Sequence, residues 1–308
     1  MARKKRTVGI VGLGIMGGAF AHNLAAAGWR VVGYDIDAKR CRALARAGVE
    51  IAASVGELAA EATTIVTSLP SPEALKKTVA AIVNARVKPR VIIETSTLAL
   101  DDKLGGERAL TKSGHVMLDC PVSGTGSQAK VKDIVIYASG DTKAIRSLRP
   151  LFGDFSRAAH DLGTFGNGSR KKYVANLLVA INNVAAAEAM VLGMKAGLDP
   201  KTIHDMVTTG AANSRVFELR APMMVAGRYD DVTMKVDVWQ KDMKVIGEFA
   251  AALGVPTPLF AATRPVYAAA MATGHAMHDT ASVCAVLEKQ AGVKRGKGKK
   301  RSRRAKTK

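Results

Sequence analysis

The chain has 308 residues, 48% of them hydrophobic and 23% charged, which is enough length for two folded domains and enough apolar surface for a large core. This composition excludes a largely disordered chain, and no uninterrupted apolar run of about 18 residues predicts a membrane span. The formal charge of +20 is concentrated at the ends, because residues 3–6 hold four basic residues and residues 294–308 hold ten.

From the N-terminus to about residue 165, short β-rich runs alternate with helix-like segments. The predicted strands cover 7–14, 29–35, 63–69, 90–96, 116–122 and 133–139. Apolar strands that alternate with helices of about 10–15 residues indicate a parallel, doubly wound sheet. Basic residues precede the first run, as in a signal peptide, but that run is short and broken by glycines, so we interpret it as the first strand. The predicted fold class is therefore α/β, with a Rossmann-type sheet.

After residue 165 the pattern becomes helical. A long apolar helix is predicted to begin near Ser169 and to end at Gly197, and Asp199 and Pro200 supply the N-cap and first-turn proline of the next helix. Further helices are predicted at 239–254, 259–274 and 279–291. We therefore predict a Rossmann-type domain at 1–165, an all-helical domain at 166–293 and a basic, disordered tail at 294–308.

The motif GLGIMG, at 12–17, lies between the first predicted strand and the first helix. Its first glycine permits a tight turn, its second lets a pyrophosphate approach the backbone, and its third lets the helix pack against the strand. The pattern predicts a dinucleotide site. Its predicted cofactor-binding residues are Gly12, Gly14, Ile15, Met16 and Gly17.

Asp35 ends the second predicted strand, 21 residues after Gly14. A carboxylate at that position accepts hydrogen bonds from the ribose hydroxyls and repels a 2′-phosphate. The sequence therefore predicts NAD as the cofactor. NADP remains the alternative, because Lys39 and Arg40 lie close by.

A Ser-Gly-Thr-Gly turn follows the fifth predicted strand, within DCPVSGTGSQAK at 119–130. Exposed backbone N–H groups and two hydroxyls suit a small anion such as a carboxylate, although such a sequence also forms ordinary turns. Both interpretations stay open on the residues alone.

Two adjacent lysines lie in the first turn of the long predicted helix. Lys172 and Asn176 are four residues apart and share a face, whereas Lys171 is rotated about 100° away from them. Lys172 and Asn176 can therefore converge on one ligand, while Lys171 is expected to face solvent. Spacing alone, however, favours the simpler interpretation, a solvated lysine at a helix end.

Together these segments resemble the β-hydroxyacid dehydrogenases, which include 3-hydroxyisobutyrate dehydrogenase and the glyoxylate/succinic semialdehyde reductases. The resemblance extends from residue 7 to about residue 292. It rests on GLGIMG at 12–17, VSG at 122–124, the GxGxxxKxxxN pattern at 166–176 and QKDM at 240–243. It implies hydride transfer between a nicotinamide cofactor and a small 3-hydroxy acid or its semialdehyde, so a small hydroxycarboxylic acid is the expected partner. The apolar surface of the long predicted helix favours a homodimer or homotetramer.

The resemblance also implies roles for individual residues. Lys172 would be the catalytic general acid/base, Ser123 and Gly124 would bind the substrate carboxylate, and Asn176 would help to orient the substrate. The additional residues implied to contact the cofactor are Leu69, Pro70, Thr97 and Lys241. Asp242 is implied to be a structural partner in the QKDM motif.

The sequence departs from the family's usual pattern at Lys132, Ala175 and Met234, and these departures bear on the pocket for the substrate side chain. Two alternatives accompany the main prediction. One is a semialdehyde or imine reductase that works mainly in the reducing direction. The other is a dehydrogenase-like binding module whose basic tail engages nucleic acid, although the tail has no aromatic residue on which bases could stack.

The cysteines are few and scattered. Cys41, Cys120 and Cys284 form neither a disulfide framework nor metal-ligand spacing, and the six histidines form no cluster in the sequence. We therefore expect a cytoplasmic protein with no bound metal and no membrane partner.

Overall fold

The computed structural model describes residues 6–295, and its N-terminal part is built on a parallel sheet. The six strands of this sheet are β1 (Thr7–Val11), β2 (Arg30–Tyr34), β3 (Glu50–Ile51), β4 (Thr64–Thr67), β5 (Val91–Glu94) and β6 (Val116–Asp119). Their order is β3-β2-β1-β4-β5-β6, and every pair in it is parallel. This is the Rossmann order, which reverses direction between β1 and β4, so the predicted fold class is confirmed.

Helices connect these strands and cover both faces of the sheet. They are α1 (Ile15–Ala26), α2 (Ala38–Ala45), α3 (Val55–Glu61), α4 (Pro72–Asn84) and α5 (Leu100–Lys112). Successive side chains of a strand point to opposite faces, so Ile10 joins the core that contains Phe20, whereas Val11 joins the core that contains Leu58. Burial on both faces explains why these strands read as continuous apolar runs in the sequence.

A second, smaller sheet follows, and it differs from the prediction. The single strand predicted at 116–122 is divided: β6 ends at Asp119, and β7 (Val122–Ser123) pairs with β8 (Val135–Ala138) in antiparallel fashion. A third strand, β9 (Ala158–Asp161), pairs with β8 in parallel. Pro121 lies at the division, and a proline has no N–H group with which to continue the ladder. The short helices of this region are α6 (Gly126–Lys130), α7 (Thr142–Ser147) and α8 (Arg149–Phe155).

The remainder of the described chain is helical. Its elements are α9 (Asn167–Lys195), α10 (Pro200–Val207), α11 (Arg215–Ala226), α12 (Val236–Ala252), α13 (Pro258–Ala272), a 3-10 turn (Thr280–Ser282) and α14 (Val283–Ala291). The predicted helix boundary is confirmed: Gly197 has a φ of +91° after α9, and Asp199 caps α10 by accepting a hydrogen bond from the backbone N–H of Thr202. Helix α11, which contains Pro222, was not predicted.

Helix α9 is long and apolar enough, by length and composition alone, to cross a membrane, although 39% of its most apolar window is buried inside the protein. The core helix of a soluble protein has the same length and composition. In the second half of α9, the buried Asn183 amide donates hydrogen bonds to the Tyr267 hydroxyl and to the carbonyl oxygen of Thr280. Such buried, paired polar groups favour a core helix.

The chain divides into two compact units that do not coincide with the sequence boundary. The first contains the chain through Leu178 together with Val238–Pro258, and the second contains Val179–Asp237 together with the chain from Leu259 onward. The first turns of α9 and most of α12 therefore belong to the unit that contains the Rossmann sheet.

A buried ion pair organises the second unit. The Asp279 carboxylate, which is fully buried, lies 2.7 Å from the Arg220 guanidinium and accepts hydrogen bonds from the backbone N–H groups of Thr233 and Ala281. At the end of the described chain, Arg295 forms an ion pair with Glu288. Residues 296–308 of the predicted tail lie outside the described residues.

Two glycines give a test of the packing. An alanine Cβ at Gly17 would lie 1.8 Å from the Gly12 carbonyl oxygen, whereas an alanine Cβ at Gly105, inside α5, would meet nothing within 4 Å. We expect Gly105→Ala to raise the free energy of unfolding by about 0.5–1 kcal/mol, because alanine loses less backbone entropy in a helix. Gly17→Ala should lower it by about 1–3 kcal/mol through overpacking, as measured by urea denaturation. Equal changes in the free energy of unfolding for the two variants would contradict this account.

Candidate active site

The glycine motif forms a loop whose geometry fits a dinucleotide. Gly12 has a φ of +91°, and a Cβ there would lie 2.2 Å from the carbonyl oxygen of Ser68, so only glycine fits. Gly14 faces open space, since a Cβ there would meet only the Arg40 guanidinium, at 3.8 Å. Gly14 is also the N-cap of α1, and no side chain of a described residue caps this helix. The first N–H groups of α1 are thus available to a pyrophosphate.

Asp35 is fixed at the end of β2 beside this loop. Its Oδ2 accepts a hydrogen bond of 2.7 Å from the backbone N–H of Leu13, and its Oδ1 accepts one of 2.8 Å from that of Asp37. The guanidinium of Arg40 lies 3.4 Å from the same carboxylate; the Asp35 side chain is 4% exposed and the Arg40 side chain 52%. The structure therefore fixes a carboxylate at the end of β2, and Arg40 places an exposed positive charge beside it.

Two further predicted cofactor contacts follow the ends of β4 and β5. The backbone N–H of Leu69 donates a hydrogen bond of 2.7 Å to the Ser96 hydroxyl, which joins the loop after β4 to the loop after β5. Pro70 lies on the exposed side of the first loop, and Thr97 follows Ser96 in the second. In a doubly wound sheet, ligands bind at the carboxyl ends of the strands, which is where both loops lie.

The first turn of α9 is anchored on the end of β6. The Asp119 carboxylate accepts hydrogen bonds of 2.7 Å from the backbone N–H of Ser169 and 2.8 Å from its hydroxyl. The N–H of Gly168 donates to the Ser139 hydroxyl at 2.9 Å. A Cβ at Gly168 would lie 2.3 Å from the carbonyl oxygen of Tyr137, so glycine permits this close approach. A negative charge and hydroxyls at a helix N-terminus satisfy its unpaired N–H groups.

The candidate catalytic residues meet one turn later. The Asn176 amide donates a hydrogen bond of 2.9 Å to Asp242 Oδ2, and the Lys241 ammonium lies 3.2 Å from Asp242 Oδ1. Lys241 also donates to the carbonyl oxygen of Thr97, in the loop after β5. The structure therefore joins Asn176 and Lys241 through the Asp242 carboxylate, and it joins Lys241 to the loop that holds Thr97.

The surroundings of Lys172 change its acidity. Burial lowers the pKa of Lys172 below the ordinary value of a lysine, because a desolvated ammonium is unfavourable, and the neighbouring Lys241 lowers it further. Asp242 acts in the opposite direction. A lysine with a depressed pKa can exchange a proton nearer to neutral pH than a solvated lysine can. Lys171, in contrast, is exposed, with its ammonium 6.0 Å from the centre of the Tyr137 ring.

The VSG turn is placed by different contacts. Ser123 is the last residue of β7, and Gly124 follows it with a φ of +135°, where a Cβ would lie 2.6 Å from Ile134 Cγ2. A Cβ at Gly126 would lie 2.2 Å from Ile15 Cγ2, so this turn contacts the glycine loop directly. The predicted carboxylate-binding turn and the predicted pyrophosphate-binding loop are therefore neighbours.

Sequence reasoning missed the residues that hold the start of α9, in particular Asp119, Ser139 and Ser169. The segment DCPVSG shows an acid, Asp119, at the end of a predicted strand, but the partners of this acid are 20 and 50 residues away along the chain. Among residues 6–295, no group of three or more His, Cys, Asp or Glu side chains is arranged to hold a metal ion.

Comparison with known proteins agrees with this geometry. The model of the NAD binding domain of 6-phosphogluconate dehydrogenase matches residues 7–166, and that of the NAD-binding domain of NADP-dependent 3-hydroxyisobutyrate dehydrogenase matches residues 166–287. The L-threonate dehydrogenase of Cupriavidus necator is 31% identical over 288 residues, which cover 92% of this chain and 96% of the relative. This chain belongs to the β-hydroxyacid dehydrogenase family. It is a nicotinamide-dependent oxidoreductase of the hydroxyacid dehydrogenase type.

Solved structures agree with the family assignment. A 3-hydroxyisobutyrate dehydrogenase from Mycobacterium tuberculosis, solved with L-serine, superposes with a TM-score of 0.84 at 27% identity, covering 92% of this chain and 99% of that one. One from Salmonella typhimurium gives a TM-score of 0.82 at 30% identity, covering 92% and 100%. Lys132, one of the positions at which the sequence departs from the pattern of the resemblance, adopts a left-handed φ of +61°. A lysine at this position of the dehydrogenase is strained where glycine would not be.

The contacts of Asp35 and Arg40 predict the cofactor preference of this dehydrogenase. The wild-type enzyme should have a higher kcat/KM with NAD than with NADP. Asp35→Ser should bring these two kcat/KM values closer together, because it removes repulsion of the 2′-phosphate. Arg40→Ala should lower kcat/KM for NADP and leave that for NAD nearly unchanged. A wild-type preference for NADP would show that Arg40, and not Asp35, dominates the adenosine end of the site.

Proposed function

We propose that this enzyme reversibly oxidises the hydroxyl group of a small hydroxycarboxylic acid to the semialdehyde or keto acid, with Lys172 as the proton-transfer residue. The observation that carries the proposal is the placement of Lys172. It is partly buried, beside Asp242 and Lys241, less than one turn after the anchored start of α9. The names of the relatives, L-threonate and 3-hydroxyisobutyrate dehydrogenase, point to four-carbon hydroxy acids as substrates.

In this proposal, Lys172 transfers the proton, and Ser123 and Gly124 bind the substrate carboxylate. When bound, the nicotinamide ring supplies the hydride acceptor for the carbinol carbon. Lys172, as the neutral amine, takes the hydroxyl proton during oxidation, and as the ammonium it returns the proton to the carbonyl oxygen during reduction. The hydroxyl of Ser123 and the N–H of Gly124 hold the substrate carboxylate and so orient the carbinol carbon.

Asn176 and Lys241 complete the proposed site. The hydrogen bond from the Asn176 amide to Asp242 fixes that side chain one turn after Lys172, where it can orient the substrate. The bond from Lys241 to the Thr97 carbonyl oxygen ties α12 to a loop proposed to line the cofactor. The predicted cofactor-binding residues of the glycine motif, with Asp35, Leu69 and Pro70, bind the rest of the dinucleotide in this proposal.

An enzyme working mainly in the reducing direction on a semialdehyde or an imine is the second candidate. A lysine at position 172 favours an oxygen substrate, because an ammonium can protonate a developing alkoxide. The similar solved imine reductases are under 25% identical and show the fold alone. Nucleic-acid binding would depend on the basic tail, most of which lies outside the described residues.

We further propose a cytoplasmic homodimer or homotetramer. All three cysteines are free, as expected in a reducing compartment. Helix α9 exposes the apolar side chains Val174, Leu178 and Leu192, which a second copy could cover. Size-exclusion chromatography with light scattering would decide the oligomeric state.

The substrate is best identified by a direct screen. NADH absorbance should rise when the enzyme and NAD are mixed with one of L-threonate, 3-hydroxyisobutyrate, glycerate or 3-hydroxypropionate. Acetate and butyrate are suitable controls, because they carry the carboxylate without the hydroxyl. Activity on simple alcohols that equals activity on the hydroxy acids would contradict the proposed role of Ser123 and Gly124.

The two adjacent lysines separate the catalytic proposal from a general effect of charge. Lys172→Ala should fold, bind NAD and lose at least ~10²-fold in kcat, which is the lower end of what a positioned proton-transfer group contributes. Lys171→Ala, the matched control, should keep nearly all activity because its side chain is exposed. A near-normal rate for Lys172→Ala, or an inactive Lys171→Ala, would refute the assignment.

The pH dependence of oxidation should follow the charges around Lys172. The rate should rise with pH as the ammonium loses its proton, with an apparent pKa below the ordinary lysine value of 10.5. Asp242→Asn removes a charge that stabilises the ammonium, so the rising limb should move to lower pH. Lys241→Met removes a charge that destabilises it, so the limb should move to higher pH. Profiles of kcat/KM measured from about pH 6 to 10 test these two variants, and a shift of the rising limb in the same direction for both would contradict the prediction.

A further inference from the structure

A group of three charged side chains lies buried between the Rossmann sheet and α5, outside the residues assigned above to the chemistry. The Lys103 ammonium is 2.6 Å from Glu94 Oε2 and 2.8 Å from Asp119 Oδ1, and all three side chains are 0% exposed. Glu94 ends β5, Asp119 ends β6, and Lys103 lies in the first turn of α5. We call these residues the buried triad.

Fully buried charges are unfavourable unless they are paired and hydrogen-bonded. Burial disfavours the charged form of Lys103, yet the two carboxylates outweigh that effect and raise its pKa above the ordinary value of a lysine. Two carboxylates with one ammonium still leave an excess of negative charge. That charge meets the N-terminus of α9, whose unpaired N–H groups favour an anion.

One side of the buried triad holds the helix that carries Lys172. Asp119 accepts two hydrogen bonds from Ser169, one from its N–H at 2.7 Å and one from its hydroxyl at 2.8 Å. Ser169 is three residues before Lys172, less than one helical turn. Tyr173, the residue after Lys172, donates its hydroxyl to the carbonyl oxygen of Leu98, so the same turn is held at a second point.

The other side of the buried triad holds the loops proposed to line the cofactor. Glu94 Oε1 accepts a hydrogen bond of 2.9 Å from the N–H of Ser96, whose hydroxyl accepts one of 2.7 Å from the N–H of Leu69. Lys103 therefore lies between two carboxylates, one of which fixes the loops after β4 and β5 while the other fixes the start of α9.

We propose that the buried triad positions the proton-transfer lysine relative to the cofactor loops, and that Lys103 is a positioning residue for the reaction. This inference rests on the proposed function of Lys172. Without Lys103, two carboxylates would face each other in a dry interior. Their repulsion would displace Asp119, and with it the first turn of α9 and Lys172.

A double-mutant cycle tests the proposal. Lys103→Met keeps the length of the side chain and removes its charge, and it should lower kcat about 10- to 100-fold, as expected for a displacement of about 1 Å at a reacting group. The KM and the dissociation constant for NADH should stay within about threefold of the wild-type values. In a Lys172→Ala background, measured at high enzyme concentration, Lys103→Met should cause almost no further loss, because its effect passes through Lys172.

The control is a buried ion pair with no such connection. Arg220→Met removes the positive charge from the Arg220–Asp279 pair of the second unit, so it should lower stability comparably and leave kcat per folded molecule nearly unchanged. A second variant, Ser169→Ala, tests the same connection if the Lys103→Met protein does not fold. Ser169→Ala removes a single hydrogen bond to Asp119, and it should lower kcat in the same non-additive way with a smaller magnitude.

The outcomes separate this inference from the proposed function. If Lys172→Ala loses at least ~10²-fold in kcat while Lys103→Met and Ser169→Ala lower kcat by the same factor in the wild-type background and in the Lys172→Ala background, the triad stabilises the fold only and the inference is wrong. Unchanged kcat in both variants would also overturn it. If Lys172→Ala itself keeps its activity, the proposed function fails first, and that result is seen without the triad variants.

Discussion

The carboxylate of Asp119 lies where strand β6 ends and helix α9 begins, and it is the point on which the candidate site depends. Its two oxygens are taken by the Lys103 ammonium and by the N–H and hydroxyl groups of Ser169. A helix N-terminus, a strand end and a buried cation are thereby joined through one side chain. Because α9 enters so close to the sheet, the residue beside Ser169 must be Gly168, which has no Cβ to collide with the backbone.

Two lysines of the same compact unit illustrate how surroundings set acidity. Lys103 is flanked by two carboxylates, and the pKa of its ammonium is raised even though the side chain is fully buried. Lys172 has one carboxylate and one further lysine nearby, and burial lowers its pKa. The first environment holds a charge permanently, as a structural element requires. The second suits a group that gains and loses a proton, as the proposed mechanism requires.

Several features could be predicted from short stretches of sequence. The glycine loop with Asp35, the end of α9 at Gly197 and the Asp199 cap each depend on residues within a few positions of one another or on a fixed spacing. The shared face of Lys172 and Asn176 follows from helical geometry alone. The helix begins at Asn167, whereas the prediction placed its start near Ser169, but this difference does not change which residues share a face. The roles of these side chains in catalysis and binding remain predictions.

The sequence by itself determined the α/β class, the glycine loop after β1 and the helix that carries the candidate lysine, because hydrophobic periodicity and local turn residues specify them. Only the tertiary structure decided how β7, β8 and β9 form a separate sheet, that Asn176 and Lys241 meet at Asp242, and that Lys103 lies between Glu94 and Asp119. Strand pairing and buried ion pairs join residues that are far apart along the chain. Their partners are selected by the packing of the whole unit, which no local pattern of residues specifies.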